Sequence, residues 1–289
     1  MITRSITALL FTLILPFAIG LNGPASAKDA HSYANVDAVT SSHLHLDVTV
    51  NFEKQALEGV AEYDIKRLTP DAGPMILDTR DMVIHKVEVQ QLEGNWQITA
   101  FELAKADPIL GSKLTVTLPL KAKKIRIHYA TRPESSGLQW LTPAQTAGKK
   151  YPFLFTQSQP IHTRSWVPIQ DTPAIRLTYS ARIRTPENLL AVMSAPNNPD
   201  AERDGDYDFS MPYKIPPYLL ALGVGDLHFK AMSENTGIYA EHYILEASAD
   251  EFADTYKMIM ATEKLYGPYQ WGRFDLLMMP PSYPMGGVE

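Results

Sequence analysis

The ten residues from Pro280 to Glu289 read P-P-S-Y-P-M-G-G-V-E and hold the most chemically suggestive spacing in the sequence. Gly286 and Gly287 remove two successive side chains, leaving a backbone edge that an extended peptide can approach closely and bond through main-chain groups. Two residues on, Glu289 sets a carboxylate at the end of that edge, where a free peptide ammonium would be held. Shielded from water, such a pair contributes about 1.5 to 3 kcal/mol, enough to favour a free amino terminus by one to two decades. A glutamate is otherwise ordinary solvated surface; here Pro280-Pro281 fixes an extended approach and the glycines clear the edge. The motif recognises, but it supplies no nucleophile, general base or metal.

A second pair of candidates is Gln157 and Gln159 in the stretch T-Q-S-Q-P-I-H. At i and i+2 on an extended chain, two primary amides point to the same side and can hold a peptide; a polar strand face ended by Pro160 is the alternative reading. Trp140, Arg164 and Trp166 read as packing and structural hydrogen bonding. The eight histidines, at 31, 43, 45, 85, 128, 162, 228 and 242, form no H-E-x-x-H. His43 and His45 share a strand face but lack a third ligand, so no zinc site is expected within the chain. There is no cysteine to act as a nucleophile, no G-x-S-x-G elbow and no phosphate loop. Gly223-Val224-Gly225 is a lone G-x-G, better read as a tight strand end.

These residues must be positioned by two kinds of element. From Ser42 to Ile183 the apolar residues alternate, as in His43 to Phe52, Leu114 to Leu118, Ile125 to Tyr129 and Ile175 to Tyr179. Turn clusters such as Thr69 to Pro74 separate the runs, and strands with one apolar face imply sheets packed face to face. Tyr218 to Gly225 reads as a buried strand closing this all-β unit, with a boundary near Asp226 to Lys230. Next, Ser248-Ala249-Asp250-Glu251 has a capping-box pattern, and Phe252, Tyr256, Ile259, Met260 and Leu265 follow at helical spacing until Gly267-Pro268. Phe274 to Met279 is expected to be a buried strand. The last sixty or so residues are therefore mixed α/β and too few to bury a full core of their own.

The first 27 residues read as an export signal: Arg4, an apolar run from Ile6 to Ile19, and Ala25-Ser26-Ala27 as the cleavage site. That run is broken by Pro16 and Gly20 and is short for a bilayer span, and no later segment is apolar enough to cross, so no transmembrane segment is expected after cleavage. The net charge of −6 becomes −7 once Arg4 leaves with the signal, and the charges are dispersed, which argues against a nucleic-acid partner. With no cysteine, the exported fold must rest on its core alone.

Six stretches carry a resemblance: I-L-D-T-R-D from Ile76, L-Q-W-L-T-P from Leu138, F-T-Q-S-Q from Phe155, Q-D-T-P from Gln170, G-P-Y-Q-W-G from Gly267, and the terminal P-P-S-Y-P-M-G-G-V-E. In this order they resemble the zinc aminopeptidases of the gluzincin type, the aminopeptidase N and leukotriene A4 hydrolase family, and in particular the leukotriene A4 hydrolase-like bacterial aminopeptidases. The resemblance implies a mainly β fold: a saddle-like β-sandwich amino-terminal domain over residues 28–228, after a signal peptide at 1–27. Residues 229–289 would be the truncated start of an α/β thermolysin-like catalytic domain. It further implies that Glu289 holds the substrate's α-ammonium, that Gly286 and Gly287 line its backbone, and that Gln157 and Gln159 bind its first residue.

The family's zinc ligands, general base and transition-state tyrosine have no counterpart in these residues. No catalytic residue and no metal ligand are expected within this chain, and zinc belongs to the full-length parent. The expected partner is a peptide with a free amino terminus; the expected location is periplasmic or secreted; the chain by itself is expected to be inactive. Val288 stands where the family usually has Met, Met285 where the leukotriene branch tends to have an aromatic residue, and Ser158 where some relatives have cysteine. The Met285 difference weakens a bifunctional reading as aminopeptidase and epoxide hydrolase. A non-catalytic peptide-binding or interaction module is the other alternative.

Overall fold

The computed structural model describes residues 29–91 and 94–283, so residues 1–27, expected to be an export signal, and Gly286, Gly287 and Glu289 lie outside the described residues. Seventeen strands are described. In chain order they are β1 Val39–Asn51, β2 Ala56–Arg67, β3 Met75–Thr79, β4 Met82–Gln90, β5 Trp96–Ile98, β6 Phe101–Leu103, β7 Ser112–Val116 and β8 Lys124–Thr131. There follow β9 Leu138–Leu141, β10 Phe153–Thr156, β11 Leu177–Arg184, β12 Leu190–Met193, β13 Asp206–Ile215, β14 Leu222–Gly225, β15 Leu227–Ala231, β16 Thr236–Glu241 and β17 Phe274–Leu277. Two α-helices, α1 His242–Glu251 and α2 Thr255–Tyr266, lie between β16 and β17. The described chain is mainly β, as the alternation predicts.

The largest sheet runs β13-β11-β1-β2-β8-β4-β5. In β1 the even-numbered Leu44, Leu46, Val48 and Val50 are buried, while His43, His45 and Asp47 face outward. The core beneath includes Tyr63 and Tyr129, whose hydroxyls donate to the carbonyls of Pro168 and Trp166 at 2.7 and 2.9 Å. Across the outer face run polar cross-strand pairs, among them Arg126 with Glu62, His128 with Glu88 and Arg184 with Asp47. His43 and His45 belong to this ladder: both rings bond the Ser180 hydroxyl, and His43 also bonds that of Thr178. They are polar strand residues, not metal ligands.

A four-stranded sheet, β12-β14-β10-β9, carries the segment that leads to Gln157. Smaller sheets are β3-β7-β6 and β15-β16-β17. Asp226 alone separates β14 from β15, which lie in different sheets. In β16 the side chains alternate between two cores: Tyr239 joins the main one, whereas Ile238 and Ala240 pack under Leu245 and Ala249 of α1.

Three expectations are corrected. Tyr218 to Gly225 is not one strand: Pro216 and Pro217 set a 3-10 turn over Pro217–Leu219, and only Leu222–Gly225 is extended. Ser248 does not start a helix. It lies in the last turn of α1, buried, because the contact of Leu245 and Ala249 with β16 draws the helix back to His242. The chain then breaks over Phe252–Asp254 and restarts at Thr255, whose hydroxyl donates to the Phe252 carbonyl at 2.7 Å. Finally, β17 is a strand but not a buried one; Phe274 is exposed, since this edge strand has β16 as its one sheet neighbour. Gly267, at φ 92°, ends α2 where the sequence predicts.

Candidate functional site

A groove of about 680 Å³ lies between the β12-β14-β10 face and the wall formed by β16, β17 and Met278 to Tyr283. Of the two glycines of β14, Gly223 lines the groove and Gly225 lies outside it. A Cβ on Gly223 would come within 2.8 Å of Leu277 Cδ2, and one on Gly225 would strike the buried Phe153 ring. The G-x-G is thus a strand segment where neighbouring side chains approach the backbone closely, and not a phosphate loop.

Gln157 follows β10 directly. Its backbone N–H donates to the Gly137 carbonyl at 2.9 Å, and the residue lines the groove. Its side-chain amide, which carries both donors and an acceptor, makes no hydrogen bond to another of the described residues. Gln159 is half-buried and lines no part of the groove: β10 ends at Thr156, and the turn at Gln159-Pro160 ends the extended register that would align the two amides. Between them, Ser158 is buried; its hydroxyl donates to the Leu220 carbonyl at 2.6 Å and accepts the Trp166 indole N–H at 3.1 Å. That is a structural role which a cysteine could fill only weakly.

The opposite wall leads toward the terminal motif. Tyr283 sets its ring edge-on to Phe155 of β10, with centroids 5.2 Å apart, and Ser282 donates to the Gln145 carbonyl at 2.9 Å. The described chain just ahead of Gly286, Gly287 and Glu289 therefore runs against the strand that presents Gln157. The sequence could not show this proximity, because spacing carries no information about which strand a distant proline-rich segment crosses.

The groove is mostly apolar, with Val192, Met193, Leu276 and Leu277 among its lining. Two phenols project into this surface without a hydrogen-bond partner among the described residues, Tyr239 and Tyr283. Burial raises the pKa of both, and Asp275 raises that of Tyr239 further, so both stay neutral hydroxyl donors. Asp275 is itself tied to Arg273 by bonds of 3.0 and 2.8 Å. Sequence reasoning gave neither tyrosine a role: Tyr283 lies within the terminal P-P-S-Y-P-M-G-G-V-E, while no local pattern marks Tyr239.

Among the described residues no group of three or more His, Cys, Asp or Glu could hold a metal ion. His228 and His242 stack with centroids 5.4 Å apart, but His228 is turned to Asp226 and burial lowers its pKa. Among the described residues the donor set does not fit zinc.

Fold and groove together define a class: a multi-sheet β module with a smaller α/β portion beside it across a mostly apolar groove. Within that class, the chain belongs to the family of the Peptidase M1 N-terminal domain, whose profile matches residues 40–219. It is 38% identical over 271 residues to leukotriene A-4 hydrolase of Xenopus laevis, covering 90% of this chain and 44% of that one. Aminopeptidase B of Rattus norvegicus is 36% identical over 302 residues, with 93% and 46% covered. Among solved structures, native yeast LTA4 hydrolase superposes with a TM-score of 0.85 at 30% identity, over 96% of this chain and 43% of that one. An M1 zinc metallopeptidase from Deinococcus radiodurans shares the fold, at a TM-score of 0.66 and 21% identity, over 84% and 57%. A mutant of that protein has been solved with a Tyr-Ser-Ala substrate. The chain spans less than half the length of the two curated relatives named here.

Proposed function

We propose that this chain is the substrate-gripping amino-terminal portion of an exported zinc aminopeptidase. In this reading residues 28–228 form its β-domain and 229–289 the start of its catalytic domain. The observation that carries it is the groove bordered on one side by Gln157 and on the other by the segment that runs into G-G-V-E. A peptide laid along it would present its ammonium to Glu289 and its backbone to Gly286 and Gly287. Its first residue would meet the Gln157 amide, with Gln159 as a more distant contributor. Membership of a family of zinc metallopeptidases supports placing zinc in the longer protein, where it would activate the attacking water. The short coverage of the relatives supports placing the zinc ligands outside these residues, and we expect no turnover from this chain alone.

Export rests on the signal-like first 27 residues and the absence of cysteine. Among the described residues no helix is long and apolar enough to cross a membrane. A bifunctional activity that includes epoxide hydrolysis has less support, since Met285 departs from the leukotriene branch and other relatives are named as aminopeptidases.

The test is calorimetric titration of the 289-residue protein with Tyr-Ser-Ala and with its N-acetylated form. The free peptide should bind at least about tenfold more tightly, the worth of one shielded charged hydrogen bond. Glu289→Gln should abolish that preference, and Gln157→Ala should weaken both peptides. Equal affinity of the two peptides for the unaltered chain sinks the reading.

A further inference from the structure

Outside the groove's own lining, the end of β16 is tied to the loop between β9 and β10 by a carboxylate that neither the sequence motifs nor the family resemblance single out. Glu241 is the last residue of β16 and the residue before α1, and it is buried. Its Oε2 accepts the backbone N–H of Ala147 at 2.8 Å, and its Oε1 accepts that of Gly148 at 3.0 Å. Among the described residues it has no ion-pair partner, so its charge is answered by those two amides and by the N-terminal end of α1. The fit depends on Gly148: a Cβ there would come within 2.7 Å of the Tyr243 ring and 3.5 Å of the Glu241 carboxylate.

The loop that Glu241 grips joins β9 to β10 and so feeds Gln157 into the groove. It is gripped a second time by the opposite wall, where Ser282 donates to the Gln145 carbonyl. Within the loop, Thr146 is buried and its hydroxyl donates to the Pro143 carbonyl at 2.9 Å, so the segment is stiff enough to transmit position. Both grips come from the elements that carry the chain toward the terminal G-G-V-E, and both close on the element that leads to Gln157.

We infer that Glu241 is a positioning residue: its clasp on Ala147 and Gly148 fixes the spacing between the Gln157 wall and the β16–β17 wall, and hence the width at which a peptide is held. This rests on the peptide-binding reading for its purpose, but the clasp itself can be measured without any peptide.

The absence of cysteine allows two spin labels to be placed cleanly, at Glu134→Cys on the β-module and Glu234→Cys in the turn between β15 and β16, both exposed positions. The labelled 289-residue protein should give one narrow distance distribution, which Glu241→Ala shifts or broadens. Amide exchange at Ala147 and Gly148 should quicken by about ten- to a hundredfold, the factor that loss of a charge-assisted hydrogen bond implies. Glu241→Gln keeps the volume and one acceptor; it should fall between, and it stands in if the alanine variant does not fold. A folded variant that melts earlier but keeps the distance distribution would make Glu241 merely structural and overturn the inference. Unchanged exchange at both amides would do the same.

Discussion

Arg164 has no accessible surface, and a guanidinium cannot shed its proton, so its charge must be answered by groups that share its burial. Its Nε donates to Asp171 at 3.1 Å, while its other nitrogens donate to the carbonyls of Leu110, His31 and Asp171. Asp78 lies 3.7 Å away and accepts from the Ser32 hydroxyl and from the N–H groups of Tyr33 and Asp171. One cation thus faces two buried carboxylates. Burial pushes Asp171 up to about 6 from an ordinary value of 3.8, although Arg164 pulls the other way. Between those values the folded state holds more protons on Asp171 than the unfolded one. Its contribution is therefore fully present below pH 3.8 and is lost as the pH rises through about 6, by up to about 3 kcal/mol. His43, His162 and His228, all lowered by burial, act in the opposite sense, with stability present above 6.5 and lost on acidification. The test is consequently a difference: the stability of the protein minus that of Asp171→Asn, from urea unfolding, should be larger at pH 4.5 than at pH 7 by on the order of 2 kcal/mol. A difference that does not change with pH would show that Asp171 is already ionised when folded. The stretches I-L-D-T-R-D and Q-D-T-P were visible as motifs, but not this cluster, because the contact between Asp78 and Asp171 spans 93 residues and leaves no periodic trace.

The strands were legible because a pleated chain with one wet face writes its geometry at period two, and β1 and β8 follow that pattern closely. The helices were not, because what sets the start of α1 is packing against Ile238 and Ala240, which outweighs a local capping pattern at Ser248. The same distinction separates two readings of Gly223-Val224-Gly225, where a motif shared by ligand loops and close-packed strands is decided by what stands above each glycine. In β14, Gly225 lies under the ring of Phe153 on the neighbouring strand β10, which is fully buried and has nowhere to go. Gly225→Ala should therefore destabilise the chain by about 1 to 3 kcal/mol through overpacking, measured by chemical denaturation. Gly223→Ala meets the ends of the Leu277 and Val192 side chains, at 2.8 and 3.3 Å, and should be felt less. A variant at Gly225 as stable as the unaltered protein would mean that β14 and β10 are not packed in this way.

At the scale of the whole molecule, apolar burial is unevenly shared. The main core runs through the large sheet and the four-stranded sheet and reaches Tyr239, whereas the cluster beneath α1 consists of Ile238, Ala240, Leu245 and Ala249. Helix α2 buries only Thr255 and exposes Met258, Met260, Leu265 and Tyr266, though its spacing predicts an amphipathic helix with a face to bury. A helix of twelve residues is marginal without a packed face, since its own hydrogen bonds barely offset the cost of ordering it. The molecule should accordingly open in two steps: the helical pair first, in a sub-global fluctuation, and the β-sheets only on global unfolding. Lys257 and Lys264 sit exposed on α2, whereas Lys124, Arg126 and Arg182 are held in strands with neighbours on both sides. Limited trypsin digestion under native conditions should cut at Lys257 and Lys264 well before it cuts at the strand-held Lys124, Arg126 or Arg182, leaving products that retain strand-rich circular dichroism. The cleavage rate at α2 should be insensitive to urea at low concentrations, because opening there exposes little new surface. Simultaneous loss of helix and sheet fragments, at one rate and with one denaturant dependence, would instead mean that the small cluster under α1 is energetically continuous with the main core through Tyr239 and Leu277.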